Sequence, residues 1–260
     1  MRTCVLLLAL LWGTCLPVFA AETIILALYN DFAPWQYPNG SGLHKELAER
    51  LTQLSDGRYL FTPAVIPRKR LNAMLDAGAA LVVPWVNPSF FSDKDKTRYL
   101  WSDTQLSDVS YYVSSASAPF DYTDPSSLYG KRFSGSLGHV YGDLTELVAS
   151  GKVERQDAPT LRESLIKLAA GNRNLDFAVV DRSTLIALKD EPFVDLGKLH
   201  LSKKLRTELF TRHVLVPKGH PDWLAFINQA LAKLRADKAW TEKMARFGPN
   251  NKNELIKTAP

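Results

Sequence analysis

Hydrophobic residues along this chain follow two alternating patterns. Short continuous apolar runs alternate with longer stretches in which leucines recur every three or four positions. A continuous run predicts a strand that is covered on both faces, and a spacing of three to four predicts an amphipathic helix. The predicted strands lie at residues 23–28, 60–62, 80–83, 110–113, 131–134, 176–180 and 213–216.

Predicted helices fill the gaps between these strands. Four leucines between positions 43 and 54 share one helical face, with Ser41 as the predicted cap, and Thr160 is predicted to cap a helix that Gly171 stops. Other helices are predicted at 71–75, 143–149 and 221–235 and in a short segment that ends at Gly248. Alternation of strands and helices predicts an α/β protein with open, mostly parallel sheets. Ligands of such sheets bind where the strands end, at the carboxyl edge.

The first twenty residues predict secretion. Arg2 precedes an apolar run from Cys4 to Trp12, and small residues stand at Val18 and Ala20. This pattern is typical of a signal peptide, residues 1–20, that is cleaved after Ala20. The run is shorter than the roughly 20 apolar residues that a membrane-spanning helix needs. We therefore expect a mature protein in the periplasm.

Composition and motifs exclude several functional classes. The net charge is +5, but basic residues are scattered among acidic ones, and the densest basic cluster is only Arg68, Lys69 and Arg70. A nucleic-acid binder would concentrate its positive charge on one surface. The five histidines lack the spacing of metal ligands, and hydrolase, zinc-protease and nucleotide-binding motifs are missing from the sequence. We predict no catalytic residues, no metal and no cofactor.

Six short segments in a fixed order carry a resemblance to a known family. They are the Phe32–Trp35 turn, Gly42 with Leu43, the segment 99–103, Gly130 to Arg132 with the turn at 135–138, the strand end 179–181, and 214–219 followed by Pro221 and Asp222. Together they resemble the family 3 extracellular solute-binding proteins, the type II periplasmic receptors for polar amino acids. This family binds small molecules between two lobes.

The resemblance implies a discontinuous, two-lobed architecture. Residues 22–108 with 212–260 would form the first lobe, and residues 109–211 the second. The chain would cross between the lobes twice, near 106–110 and near 209–212. Two crossings make a hinge, and a ligand that touches both lobes favours the closed form.

The same resemblance assigns ligand contacts in both lobes. Phe32 corresponds to the aromatic residue that stacks on the ligand, or it packs as a loop aromatic within the first lobe. Gly138, His139, Val140 and Tyr141 fall where the family offers backbone N–H groups at a helix N-terminus, although His139 also fits a surface loop. Asp181 corresponds to the carboxylate that takes a ligand ammonium group; alternatively, it caps a helix at 182–188.

The strand that ends near residue 83 departs from the family pattern. Trp85, Asn87 and Ser89 follow it at alternating positions, where the family has small residues, so Trp85 either narrows the cleft or packs in the core. Ser92 stands where the family has the arginine that binds the ligand carboxylate. Lys94, Lys96 and Arg98 follow in the same segment as possible replacements, and Arg68, which can stack and hydrogen-bond at once, is a further candidate.

From these features we expect a monomeric periplasmic solute-binding protein. Its ligand would be amino acid-like or a small carboxylate, and its partner an ABC-type membrane transporter. A free-standing sensor module remains an alternative, and an enzyme like the periplasmic cyclohexadienyl dehydratases, which share this fold, is another. Nucleic acid is not an expected partner.

Overall fold

A computed structural model describes residues 20–171, 174–190 and 194–248. Nearly all of the predicted signal peptide therefore lies outside the described residues. The strands are β1 Glu22–Leu28, β2 Tyr59–Val65, β3 Leu81–Val86, β4 Leu100–Trp101, β5 Leu106–Asp108, β6 Ser110–Ser115, β7 Arg132–Ser136, β8 Glu154–Ala158, β9 Phe177–Asp181, β10 Leu199–Leu201 and β11 Phe210–Val216. The helices are α1 Leu43–Leu54, α2 Arg68–Asp76, α3 Gly142–Ala149, α4 Leu161–Ala169, α5 Arg182–Asp190, α6 Pro221–Ala236 and α7 Lys238–Phe247.

The strands form two sheets. The first has the order β2-β1-β3-β11-β4, with β5 paired to β11, and the second has the order β10-β6-β9-β7-β8. In each sheet three strands are mutually parallel, and antiparallel strands complete the sheet. The antiparallel pairs arise because β6 and β11 enter their sheets directly from the other half of the molecule, without a crossover helix. The sheets are thus more mixed than the sequence pattern suggested.

The central strands of both sheets are buried on both faces, as the continuous apolar runs predicted. In β1, Ile24 and Leu26 pack into one hydrophobic cluster, while Ala27 packs into another on the opposite face. In β9, Ala178 and Phe177 are divided in the same way between two clusters of the second sheet. We call each sheet with its helices a lobe: the first contains α1, α2, α6 and α7, and the second α3, α4 and α5.

Helix ends show one correct cap prediction and one wrong one. The Thr160 hydroxyl accepts a hydrogen bond from the Glu163 N–H at 3.3 Å, which confirms it as the cap of α4. Ser41 does not cap α1, because its hydroxyl donates to the side chain of Asn39 and Gly42 occupies the cap position. Gly42 has φ 132°, and a Cβ there would meet the Trp35 carbonyl oxygen at 2.4 Å, so the close approach requires glycine.

The two lobes are joined by paired strands. β5 belongs to the first sheet and β6 to the second, with only Val109 between them. β11 returns to the first sheet and pairs antiparallel with β5, so that Phe210 lies opposite Asp108 and Arg212 opposite Leu106. The two crossings therefore form one short antiparallel ribbon between the lobes.

Candidate functional site

A cleft between the lobes contains two adjacent cavities that share part of their lining. The inner chamber has a volume of about 40 Å³, which is roughly room for three water molecules. The outer chamber has a volume of about 430 Å³. Both lobes contribute to each chamber. The residues that line both are Tyr29, Asn30, Phe32, Ser136 and Leu161.

Strand ends place most of the lining. Tyr29 to Phe32 follow β1, Phe90 follows the end of β3, and Asp181 is the last residue of β9. The cleft therefore lies at the carboxyl ends of the parallel strands, where the α/β pattern predicted a ligand.

The innermost group is Arg212, a residue of β11 that is 1% exposed. Its Nε and Nη2 donate to Asp108 Oδ2 at 3.0 and 2.9 Å, and Nη2 also donates to Asp181 Oδ2 at 2.5 Å. Nη1 donates to the Trp85 carbonyl oxygen at 2.7 Å. One guanidinium thus connects both crossings, the end of β3 in the first lobe and the end of β9 in the second.

Serine hydroxyls complete the coordination of both carboxylates. Ser183 donates to Asp108 Oδ2 at 2.6 Å, and Ser110 donates to Asp181 Oδ1 at 2.5 Å. Burial opposes the charge on Arg212, but Asp108 and Asp181 raise its pKa above the ordinary value. Burial raises the pKa of Asp108, an effect that the charge of Arg212 opposes. The cation is held by groups of the protein itself.

A second paired arginine lines the inner chamber. Arg206 Nε donates to Asp143 Oδ2 at 3.1 Å, and its Nη2 donates to Asp143 Oδ1. The Tyr112 hydroxyl donates to the same carboxylate at 2.7 Å. Burial works against the charge of Arg206, but Asp143 raises its pKa.

Arg68 is surrounded differently. It is the first residue of α2 and 4% exposed. Its Nε donates to Asn72 Oδ1 at 2.8 Å and its Nη2 donates to the Phe90 carbonyl oxygen. The guanidinium carbon lies 3.9 Å from the centre of the Phe91 ring. Within the described ranges no carboxylate lies within 4.0 Å of it, and burial lowers its pKa.

His139 joins Arg68 to the second lobe. Arg68 Nη1 lies 3.1 Å from His139 Nδ1. A guanidinium has only donors, so Nδ1 must accept and the ring proton must sit on Nε2. Burial and the charge of Arg68 lower the pKa of His139 well below its ordinary value, which keeps the ring neutral at pH 7. The contact links α2 of the first lobe to the turn after β7.

Tyr29 carries an unsatisfied hydroxyl proton in the same place. The Arg68 guanidinium carbon lies 4.7 Å from the Tyr29 ring centre, and a hydrogen bond from Arg68 to the tyrosine oxygen helps to raise the pKa of Arg68 against the effect of burial. The buried hydroxyl donates no hydrogen bond among the described residues. Arginine cannot accept a hydrogen bond, so the Tyr29 proton lacks an acceptor. Burial raises the pKa of Tyr29, so the hydroxyl keeps that proton.

The structure brings some of the sequence-predicted site residues together. Phe32, His139 and Asp181 line the inner chamber, and Arg68 lines the outer one. Gly138 precedes His139 with φ 83°, and its carbonyl oxygen accepts from Asn72 Nδ2 at 3.3 Å. It thus lies next to the cleft as part of the contact between α2 and the second lobe.

Other predicted residues lie away from both chambers. Trp85 is buried between Trp35 and Trp240, with ring centres 5.2 and 6.5 Å away. Asn87 accepts from the Ser89 N–H at 2.9 Å and donates to the Thr211 carbonyl oxygen at 2.8 Å.

These contacts suit the core-packing alternative for Trp85 and a capping role for Asn87. The Ser89 hydroxyl donates to Asn87 Oδ1. Val140 is partly exposed in the turn before α3 and does not line either chamber. Ligand contact at all four positions stays a prediction.

Sequence reasoning missed Tyr29, Arg206 and Arg212, whereas Tyr141, one of the four residues expected at the helix N-terminus, lines the inner chamber. A signal existed for Arg212, because it directly precedes the predicted strand 213–216, and a charge in a buried strand implies a partner. Tyr29 directly follows β1, where ligand residues are expected. Arg206 lies in a polar connection, and its sequence neighbourhood carries no such signal.

Searches by sequence found neither a matching protein-family model nor a matching curated protein. Solved structures do match. An ancestral arginine-binding protein bound to arginine superposes with a TM-score of 0.70 at 17% identity, covering 88% of this chain and 99% of that one. The chain has the fold of a two-lobed amino acid-binding protein.

Two further structures are similar over the same extent. A chain provisionally assigned to an L-cystine ABC transporter from Listeria monocytogenes has a TM-score of 0.71 at 16% identity, covering 88% of this chain and 99% of that chain. The ancestral amino acid-binding protein AncCDT-1, a precursor of cyclohexadienyl dehydratase, has a TM-score of 0.65 at 14% identity, with coverages of 88% and 96%. At these identities the likeness establishes the fold.

The described residues contain neither a membrane-spanning helix nor a cluster of metal-binding side chains. None of the helices in that part of the chain is long and apolar enough to cross a membrane. Over the same residues, no cluster of three or more histidine, cysteine, aspartate or glutamate side chains could hold a metal ion.

Proposed function

We propose that this protein is a periplasmic solute-binding protein of the family 3 type, which closes its two lobes on a small polar ligand. The ligand is amino acid-like or a small carboxylate. The lobes comprise residues 22–108 with 212–260 and residues 109–211, and the signal peptide is cleaved after Ala20. The closed form is recognised by a membrane transporter.

One observation carries the proposal: a cleft lined from both lobes contains the buried cation Arg68, which has no carboxylate partner among the described residues. A buried charge without a counterion is costly, whereas Arg212 and Arg206 in the same cleft are neutralised by aspartates. An anionic group of a ligand at Arg68 would supply the missing counterion. The fold shared with arginine-bound and other amino acid-binding proteins supports the same function.

A thermal-shift screen of the mature protein over amino acids, carboxylates, amines and aromatic acids tests the proposal. A ligand present at 100 times its dissociation constant stabilises the folded state by about 2.7 kcal/mol. For a protein of this size we expect the melting temperature to rise by roughly a few degrees. Small-angle scattering with the best ligand should show a smaller radius of gyration than without it. A complete screen without a stabilising compound would contradict the proposal.

Two further measurements separate this function from its alternatives. Loss of uptake of the identified ligand on deletion of the gene supports delivery to a transporter, whereas unchanged uptake with a lost transcriptional response indicates a sensor. Because one structural neighbour is a precursor of a dehydratase, prephenate and arogenate should be incubated with the protein and followed by ultraviolet absorbance. Turnover would replace the receptor function with an enzymatic one.

A further inference from the structure

The outer chamber is lined by apolar side chains as well as by charged ones. Its first-lobe lining includes Val65 and Pro67, and its second-lobe lining includes Leu137, Pro159 and Leu161. It is also roughly ten times larger than the inner chamber. A small polar head group would leave most of it empty.

Two of these apolar side chains are unusually exposed. Leu137 is 48% exposed and Val65 is 42% exposed. Single exposed hydrophobic residues need no explanation on a protein surface. Here one such residue from each lobe lines the same cavity, so an apolar part of a ligand placed between them would remove both side chains from water.

Charged groups at the chamber favour a single negative charge on the occupant. Arg68 and Lys69 line it, as do Asp31 and Asp157. Asp157 is already paired with Arg155, whose Nε lies 2.7 Å from its Oδ1. With that pair neutral, the remaining side chains carry two positive charges and one negative charge.

Tyr29 fixes where the anionic group lies. It lines both chambers, its buried proton lacks an acceptor, and the Arg68 guanidinium is adjacent. An oxyanion at this junction would accept from Tyr29 and pair with Arg68 at once. The rest of the ligand would then extend outward, because the inner chamber has room only for water-sized groups.

From these observations we infer that the ligand is an organic monocarboxylate with an apolar body, such as an aromatic ring or a branched chain. The carboxylate binds at Tyr29 and Arg68, and the body fills the outer chamber between Val65 and Leu137. This inference rests on the proposed function and specifies its ligand class.

The test is isothermal titration calorimetry of the mature protein with three groups of probes. The first is a series of increasing apolar length: acetate, butanoate, hexanoate and 3-phenylpropanoate. The second is 3-phenylpropanamide, which has the same body without the charge. The third consists of arginine and glutamine, which are polar amino acids.

We expect 3-phenylpropanoate to bind, its amide to bind at least tenfold more weakly, and affinity to rise along the aliphatic series. Burial of one methylene group corresponds to an increase of about fourfold in affinity. The substitution Leu137→Asn should remove most of the gain in affinity that the apolar body provides.

The substitution Leu209→Asn is a matched control for Leu137→Asn. Leu209 is 45% exposed, lies outside helices and strands like Leu137, and is absent from the lining of both chambers. It should leave the affinity for 3-phenylpropanoate unchanged. If Leu137→Asn does not fold, as judged by circular dichroism, Val65→Thr replaces it with the same expectation.

Failure of the inference differs from failure of the proposed function. Affinity that is flat along the series, or binding of arginine or glutamine with none of 3-phenylpropanoate, would overturn the apolar-body ligand and leave a solute receptor. Equal effects of Leu137→Asn and Leu209→Asn would also overturn it. If none of these probes binds and the broad screen is also negative, both fail together.

Discussion

Two buried arginines in the same cleft have opposite electrostatic surroundings. Arg212 lies between Asp108 and Asp181 and receives two negative charges within 3 Å. Arg68 has an amide oxygen, a backbone carbonyl, a neutral histidine and aromatic rings as neighbours. The first arrangement satisfies the charge when the protein folds. The second leaves part of that cost uncompensated, and under the proposed function an anionic ligand would offset it.

The largest expected effect comes from breaking the Arg212 site. In Asp108→Ala the guanidinium loses its main partner while it remains buried, and removal of one member of a buried ion pair costs about 3–5 kcal/mol. We expect urea unfolding to show a loss of free energy in that range. The control is Asp76→Ala, which removes an exposed pair with Arg98 and should cost less than about 1 kcal/mol. An unchanged midpoint for Asp108→Ala would refute the structural role of the pair.

Arg68→Met should affect ligand binding more than stability, in contrast to Asp108→Ala, which should mainly affect stability. Methionine keeps the apolar stem and removes the charge, so we expect a stability change well below that of Asp108→Ala. A charge-assisted hydrogen bond contributes about 1.5–3 kcal/mol, so the affinity for the best acid of the screen should fall roughly ten- to a hundredfold. Calorimetry at pH 7 measures this, and unchanged affinity would remove Arg68 from the site.

Acid should weaken the Arg68 side of the cleft through His139. In the folded state its pKa is depressed, so below about pH 6.5 the unfolded chain takes up a proton that the folded protein does not. Stability is therefore full above pH 6.5 and falls as the pH decreases, by up to about 1.4 kcal/mol per pH unit. The free energy of unfolding, measured with urea at several pH values between 6.5 and 5, should fall less steeply with decreasing pH for His139→Gln than for the wild type. Identical slopes would show that His139 is accessible to protons when folded.

The smallest effect is expected at Asn87, which the sequence predicted as a ligand contact. Because its side chain caps the 3₁₀ helix Pro88–Phe91 and donates to the Thr211 carbonyl, Asn87→Ala should cost about 1 kcal/mol of stability. Ligand affinity should not change. A tenfold loss of affinity without a loss of stability would instead place Asn87 in direct contact with the ligand.

Much of the fold could be predicted from the sequence because the central strands are apolar on both faces. β1, β3 and β9 each appear as a continuous hydrophobic run. β8 was missed, since its sequence Glu154–Ala158 is polar and it pairs only with β7 at the edge of the second sheet. β4, β5 and β10 are two or three residues long, too short to show a period.

The candidate site was only partly predictable. Residues at strand ends, such as Phe32 and Asp181, could be placed by the general rule for α/β sheets. The partner of Arg212 could not be predicted, because Asp108 is 104 residues away in the chain and only the pairing of β5 with β11 brings the two together. Arg68 lacks a carboxylate partner among the described residues, and this depends on every group that packs around α2. A local sequence pattern does not identify those groups.

The ribbon formed by β5 and β11 has a mechanical consequence. For any rotation of one lobe against the other about this ribbon, an atom moves in proportion to its distance from the axis. Arg212 lies on the ribbon itself, so its ion pairs stay nearly stationary at the pivot. The contact of Arg68 with His139 joins the two lobes outside the ribbon, so such a rotation would change this contact more than the ion pairs of Arg212.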